Sequence, residues 1–288
     1  MKWGIMMTTK QSIDLAAIDQ RLNRFSKIVN SKQPLRPVKK GESIRTGVDL
    51  GTSSIVLTVL DHDNQMLYGT FEYADAVRDG VVVNYLDSVK ILTRLKQRAE
   101  HVLGVNLTTA CGAIPPGTGK GSAKVVANVI ESAEMACRNV VDEPTAAATF
   151  LNLKTGTVVD IGGGTTGISV FNRGKLTQVV DEPTGGYHMT LVIGGNYGIE
   201  SSAAEALKRD ASREAEIFPL IRPVVEKMAT IVKNTVGADI KQPVIVVGGA
   251  VNFADFVPTF SDVLGVPVYK PTFPQYITPL GIAMDDHD

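Results

Sequence analysis

The sequence has little of what builds metal centres, redox pairs or membrane spans. It holds only two cysteines in 288 residues, Cys111 and Cys137. Their separation matches no metal-binding spacing, so both read as small buried residues in a reducing compartment. Four histidines are scattered singly, with His62 in a turn-forming stretch and His188 in a glycine-containing loop. That leaves no constellation for a metal site or a nucleophilic triad. No apolar run approaches the roughly 18 residues that a membrane span needs, and the opening MKWGIMMTTK is too short and broken for a secretory signal. A soluble cytoplasmic protein without a transmembrane segment is expected, and no nucleic-acid partner. What the chain does have is 44% apolar residues, enough to core one large domain or two ordinary ones.

A net charge of −1 hides an asymmetry. Residues 1–44 carry nine Lys or Arg against three Asp or Glu, a net of +6, which leaves −7 for the rest. Within this tail Leu15, Ile18, Leu22, Phe25 and Val29 recur at steps of 3, 4, 3 and 4 and share one stripe of a helix. The run SKQPLRPVKKGES follows, and its two prolines and solvated charges predict a semi-flexible tether. The stripe suits two uses. It packs on the protein's own core, or residues 12–30 recruit a protein partner.

Beyond the tether, TGVDLGTSSIVLTVL reads as strand, tight glycine turn, strand, and DHDN turns the chain back into QMLYGTFEY. DHDN lacks the glycine and closing glutamate of a calcium loop. The unit then repeats. Asp160 in VVDIGGGTTGISVF lies 111 residues after Asp49, again followed by glycine, threonine and an alternating strand, with NRG as the second hairpin turn. Two copies a domain's length apart predict two related lobes. A glycine turn presents several backbone N–H groups on one concave side, where a Cβ would obstruct a phosphate. Two facing turns would grip phosphate from both sides. Asp49 and Asp160 at the strand ends would hold a hydrated magnesium ion, which keeps most of its waters. Thr52, Ser53, Thr165 and Thr166 add hydroxyl donors. The P-loop lookalike GTGKGS, 117–122, fails on spacing and is expected to be a surface loop between an apolar strand and a buried helix.

GVDLGTSS, DIGGGTT, NVVDEPTAAATF, VIVVGGA and TPLGIAM occur in the order seen in the actin and heat-shock chaperone ATPase superfamily. Together they span roughly residues 45–284. YADAVRDGVVV, VDEPTAAA and GGYHMTL resemble more narrowly the ethanolamine-utilisation protein J family, chaperone-like proteins associated with bacterial microcompartments. The resemblance implies a two-lobed α/β actin-like fold of duplicated ribonuclease H-like lobes with a reduced second-lobe insertion. Its expected boundaries are a tail at 1–44, a first lobe at 45–148 rejoined by 279–288, and a second lobe at 149–278. ATP or ADP with magnesium is the implied cofactor. Gly51, Thr52 and Ser53 match the first phosphate loop, and Gly162, Gly163, Gly164 and Thr165 the second. Asp49 and Asp160 match the magnesium-associated carboxylates, and Glu143, with Asp160, the catalytic acids. Gly248, Gly249 and Ala250 match the adenosine motif. Pro144 is expected to open one crossing helix, and Pro279 to Ala283 to form the other.

Two departures temper the implied activity. Many hydrolytic relatives carry an acid two positions after the threonine of the second phosphate loop, and this chain has Gly167. Residues 205–244 read as helices with one proline-marked break, too short for a large subdomain, and only five residues follow Ala283. Each site residue also has an ordinary use taken alone, since an Asp before a glycine turn caps its own loop and Glu143 could pair with Arg138. Two functions are therefore expected. One is an ATP-gated chaperone-like factor acting on a client, shell or enzyme partner and at most a slow ATPase; the other is a non-hydrolysing scaffold recruited by its tail. The oligomeric state is not set by the sequence.

Overall fold

The hairpins after Asp49 and Asp160 organise the two halves of the chain. A computed structural model describes residues 13–74, 77–78, 81–82 and 84–287; the start of the tail and parts of YADAVRDGVVV lie outside the described residues. The first half runs α1 (Leu15–Ser26), β1 (Ile44–Leu50), β2 (Ser54–Asp61), β3 (Met66–Tyr73), the short pair β4 (Val77–Arg78) and β5 (Val81–Val82), α2 (Tyr85–Leu103), β6 (Thr109–Ile114), α3 (Gly119–Ser132), β7 (Ala136–Asp142) and α4 (Glu143–Phe150). The second runs β8 (Gly156–Ile161), β9 (Thr166–Asn172), β10 (Lys175–Glu182), α5 (Gly186–Tyr197), α6 (Ser201–Arg209), α7 (Glu214–Val236), β11 (Val244–Val247), α8 (Phe256–Leu264), β12 (Val268–Tyr269) and α9 (Ile277–Met284).

Two five-stranded sheets result, ordered β3-β2-β1-β6-β7 and β10-β9-β8-β11-β12. In each, the hairpin strands pair antiparallel and the remaining strands join in parallel. The two-lobed duplicated fold expected from the repeat is therefore present. Period-2 alternation explains the layering. On β2, Ile55, Leu57 and Val59 enter an outer core shared with α2 and α3. Thr58 and Leu60 point the other way, and the Thr58 hydroxyl donates to the Pro279 carbonyl of α9 at 2.8 Å. On β11, Val244 and Val246 join the second outer core while Ile245 and Val247 face inward. Between the sheets lies an inner core built around α4 and α9. Among the described residues no helix is long and apolar enough to cross a membrane.

The tail is not the separate object that its charge suggests. Ile18, Leu22, Phe25 and Ile28 are buried in the inner core with Phe150, Tyr276 and Leu280, and Leu15 and Val29 pack at its margin. Phe25 meets Tyr276 edge-on at 5.4 Å between ring centres. Its tip also points at β3 at Gly69, where an added Cβ would come within 2.4 Å of Phe25 Cζ. Asp14 caps α1 by accepting from Ala17 N, and Asp19 accepts from Thr272 N at 2.7 Å, tying the helix to the segment before α9. The tether is fastened too: Asn30 and Leu35 donate backbone hydrogen bonds to Gly69 and Leu67, both at 2.9 Å, and Arg36 pairs with Glu42 and Asp61. Of the two uses open to the stripe, the structure takes core packing. The recruiting helix and loose tether are corrected accordingly, because burying each such aliphatic or aromatic side chain gains about 1.5–3 kcal/mol.

Three local expectations also change. In GTGKGS, only the first two residues lie outside α3; the rest form its first turn. His188 belongs to the opening turn of α5 rather than a loop, and its Nδ1 accepts from Gly185 N. No break occurs at the prolines of α7. Pro219 and Pro223 sit inside a continuous helix on its exposed side, where the carbonyls they leave without partners face water, while Ile217, Phe218, Ile221, Val225 and Met228 bury the opposite side. The interruption lies at Asp210, whose side chain accepts from Ser212 N at 2.9 Å and starts a separate turn.

Candidate functional site

The β1 and β8 strands both end at the cleft between the lobes, and their glycine turns face each other there. In the second turn Gly162 N donates to Thr165 O at 3.1 Å, which closes the loop tightly. A Cβ added at Gly163 would lie 2.2 Å from Ser53 Oγ and 3.2 Å from Thr52 Cβ, so the two turns nearly touch. The first turn of α5 braces the second loop from behind. Gly186 N and Tyr187 N donate to the carbonyls of Gly162 and Gly163 at 2.9 and 2.8 Å. Gly185 has no room for a side chain, since its Cβ would stand 2.6 Å from the Gly164 carbonyl carbon. The result is a cradle of small residues, with the shape of a backbone nest.

Thirteen of the residues singled out from the motifs line one cavity of about 420 Å³: Asp49, Gly51, Thr52, Ser53, Glu143, Asp160, Gly162, Gly163, Gly164, Thr165, Gly248, Gly249 and Ala250. That volume falls within the usual range of small-molecule sites, roughly 300–1,000 Å³. Thr166 is the exception among the hydroxyl donors. It is fully buried, and its Oγ1 donates to the Thr184 carbonyl at 2.5 Å, so it fixes the loop's exit instead of facing the cavity.

Three carboxylates converge beside the two glycine turns. Burial, and then the charge of Asp160, raise Asp49 to about 7. Burial raises Asp160, opposed by a hydrogen bond from Thr278 Oγ1 of α9 at 2.6 Å. Glu143 is the first residue of α4, after the Asp142 cap and before Pro144. Burial, and then the charges of Asp49, Asp160, Asp181 and Asp142, hold it well above the ordinary carboxylate range. Such a cluster holds protons until a cation relieves the repulsion. The Arg138 pairing open to Glu143 is not what the structure shows: Arg138 reaches Asp286 instead, at 3.7 Å.

Beside these carboxylates β11 delivers Gly248 with φ of 93°. A Cβ there would come within 2.5 Å of Asp160 Oδ1 and 2.4 Å of Ile161 O, so only glycine fits this crossing of the two strand ends. Part of the lining lies outside the motifs singled out in the sequence. Glu205, Lys208 and Arg209 of α6 also line the cavity. Lys208 Nζ donates to Gly186 O and Thr190 Oγ1, both at 2.9 Å, and to Glu205 Oε2 at 2.6 Å. Arg209 lies over the Tyr73 ring of β3 at 3.7 Å, joining the lobes at the cavity wall. The i, i+3, i+4 spacing of Glu205, Lys208 and Arg209 was the available signal.

Known proteins resemble this chain in sequence and fold. The family model described as Hsp70 protein matches residues 86–196. The ethanolamine utilization protein EutJ of Escherichia coli K12 is 38% identical over 238 residues, covering 82% of this chain and 84% of the relative. The crystal structure of EutJ from Carboxydothermus hydrogenoformans superposes with a TM-score of 0.89 at 42% identity, over 94% of this chain and 99% of that one. MreB 5 of Spiroplasma citri, solved bound to AMPPNP, shares the fold with a TM-score of 0.66 at 16% identity, over 83% and 94% of the two chains. With a curated relative matched across most of both lengths and a solved EutJ superposing almost end to end, this chain belongs to the EutJ family of ethanolamine utilization proteins.

Proposed function

We propose that this protein binds a magnesium adenine nucleotide between its lobes and that nucleotide-dependent closure gates a partner surface, as a chaperone-like component of ethanolamine utilisation. The observation that carries the reading is the meeting of two glycine turns over three half-buried carboxylates in one cavity. The residues fit the ligand. Gly51–Ser53 and Gly162–Thr165 would hold the phosphates with backbone N–H groups and hydroxyls, and Gly248, Gly249 and Ala250 leave room for the nucleoside beside Glu205 and Lys208. Among the described residues no group of three or more His, Cys, Asp or Glu forms a metal cage. A magnesium ion would thus be held by phosphate and water, with Asp49 and Asp160 accepting from those waters. When bound, it supplies charge neutralisation at the phosphates. Asp160, supported by Thr278, and Glu143 orient water there.

The lobes are assigned to residues 45–148 with 279–288, and to 149–278, with α4 and α9 crossing between them. The solved MreB relative was captured with a nucleotide analogue, which supports nucleotide as the ligand class. The partner, a client, shell protein or enzyme, meets a surface other than the buried face of α1. Calorimetry with Mg-ATP and Mg-ADP tests the reading: the wild type binds, and Gly163→Val, whose branched side chain fills the cradle against Ser53, loses most of the affinity. Equal affinity in both proteins would refute the site. A second reading, a scaffold that binds nucleotide without turnover, is favoured by Gly167. Phosphate release under saturating ATP separates the two, and turnover well below about 1 per second is expected.

A further inference from the structure

The glycine that departs from the hydrolytic pattern is not surrounded by empty space. In the β9/β10 ladder Gly167 lies directly opposite Asp181. Side chains of directly opposed residues in an antiparallel pair leave the same face of the sheet, so a group missing from one strand is supplied by its neighbour across the ladder. The distances bear this out. A Cβ at Gly167 would stand 3.8 Å from Asp181 Oδ1, 3.8 Å from Asp160 O and 3.8 Å from Pro144 Cγ. Three elements therefore surround one point: the end of β8 that carries Asp160, the first turn of α4 that carries Glu143, and the Asp181 carboxylate. Gly167 is fully buried, and Asp181 is partly buried beside it.

We propose that Asp181 stands in, from the adjacent strand, for the acid that Gly167 lacks, as a positioning residue that sets Glu143 and the water it orients at the phosphate end of the cleft. The proposal rests on the nucleotide reading above. Glu143 and Asp160 line the cavity and Asp181 does not, so Asp181 acts through Glu143 rather than by touching the ligand. Its charge is felt there: after burial and the charges of Asp49 and Asp160, Asp181 is the next contributor to raising Glu143 above the ordinary carboxylate range. A cation drawn to Asp49, Asp160 and Glu143 therefore has the Asp181 carboxylate behind them on the adjacent strand. Glycine at 167 is what leaves room for this arrangement, because a longer side chain on β9 would compete with Asp181 for the same space.

The test uses the full chain and two readouts, the gain in ATP affinity on adding magnesium over chelator, and single-turnover phosphate release. Outer-shell carboxylates commonly change metal affinity or activity by about 10–100-fold. Asp181→Asn is expected to bind ATP in chelator as the wild type does, with an unchanged unfolding midpoint, yet to lose about tenfold of the magnesium-dependent gain. In a Glu143→Gln background the same change should have little further effect, the non-additivity that marks action through Glu143. Moving the acid across the ladder, with Gly167→Asp and Asp181→Gly together, should restore the gain. An Asp181→Asn protein with the full magnesium gain, or full additivity with Glu143→Gln, overturns the assignment while leaving nucleotide binding intact. A wild-type chain that binds no ATP overturns the nucleotide reading itself, and the assignment with it.

Discussion

Replacing Gly281 by alanine should cost more than its single added methyl suggests, because α9 and α4 cross there backbone to backbone. A Cβ at Gly281 would lie 1.9 Å from the Ala146 carbonyl oxygen, 2.4 Å from its carbon and 3.1 Å from Ala146 Cα. Real Cβ contacts essentially never fall below 3.0 Å, so the helices must part by at least about 1.1 Å. No rotamer relieves the clash, since every atom involved is main chain. Nor can α9 retreat, because β1 presses on its other side: a Cβ at Gly47 would be 2.5 Å from Ala283 N. The displacement therefore falls on α4, whose first residue is Glu143. Overpacking with a movable side chain costs about 1–3 kcal/mol, and this backbone clash belongs at or above the upper end. A shift of about 1 Å at a positioned group costs on the order of a hundredfold in function, so any turnover should fall further than stability does. Urea unfolding followed by circular dichroism measures the first effect. The control is Gly195→Ala on the exposed side of α5, where nothing lies within 4 Å, and there a gain of about 0.5–1 kcal/mol is expected. A Gly281→Ala protein within about 0.5 kcal/mol of the wild type would refute the close crossing.

Other outcomes follow from the same geometry. Phe25→Ala empties a fully buried ring site between Tyr276 and Gly69 and should destabilise the protein by about 3–5 kcal/mol in urea unfolding, whereas a free recruiting helix would show almost no change. Asp49, held at about 7, is roughly half protonated at neutral pH before ligand binds. A magnesium nucleotide requires the ionised form, so its affinity should rise with pH up to about 7 and flatten above, and calorimetry in two buffers of different ionisation heat should detect proton release. The same shift acts oppositely on the ligand-free fold. Its raised folded pKa means that the stability contribution present below the ordinary carboxylate value is lost as pH rises toward 7, so the unfolding midpoint without nucleotide should decline across that window. Lys208→Ala should weaken adenosine and ATP binding alike while leaving inorganic phosphate binding unchanged, and an equal loss for phosphate would displace Lys208 from the nucleoside wall.

The two glycine turns, the aspartates before them and the proline that opens α4 were legible in the sequence because their chemistry is local. Glycine permits a tight turn and a close approach wherever it stands, and Asp142 followed by Pro144 specifies a helix start within four residues. The repeat of one hairpin at a distance of 111 residues carried the two-lobed architecture with it. What the sequence left open depends on which surfaces meet. The 3.5-residue rhythm of α1 specified an apolar stripe but not its partner, and docking against α4, α9 and β3 settled that it belongs to the inner core. In α7 the prolines signalled a break, yet burial of the opposite face outweighed two lost hydrogen bonds that water can replace. Thr166 and Thr165 are neighbours with the same hydroxyl, and only the direction each takes from the strand end sends one to the cavity and the other to Thr184. Gly167 and Asp181 lie fourteen residues apart in the chain, and strand register alone sets them face to face. Local chemistry is written residue by residue, whereas register and helix docking arise from cooperative burial across the whole chain, and those decided how the acids, the glycines and the first helix come together.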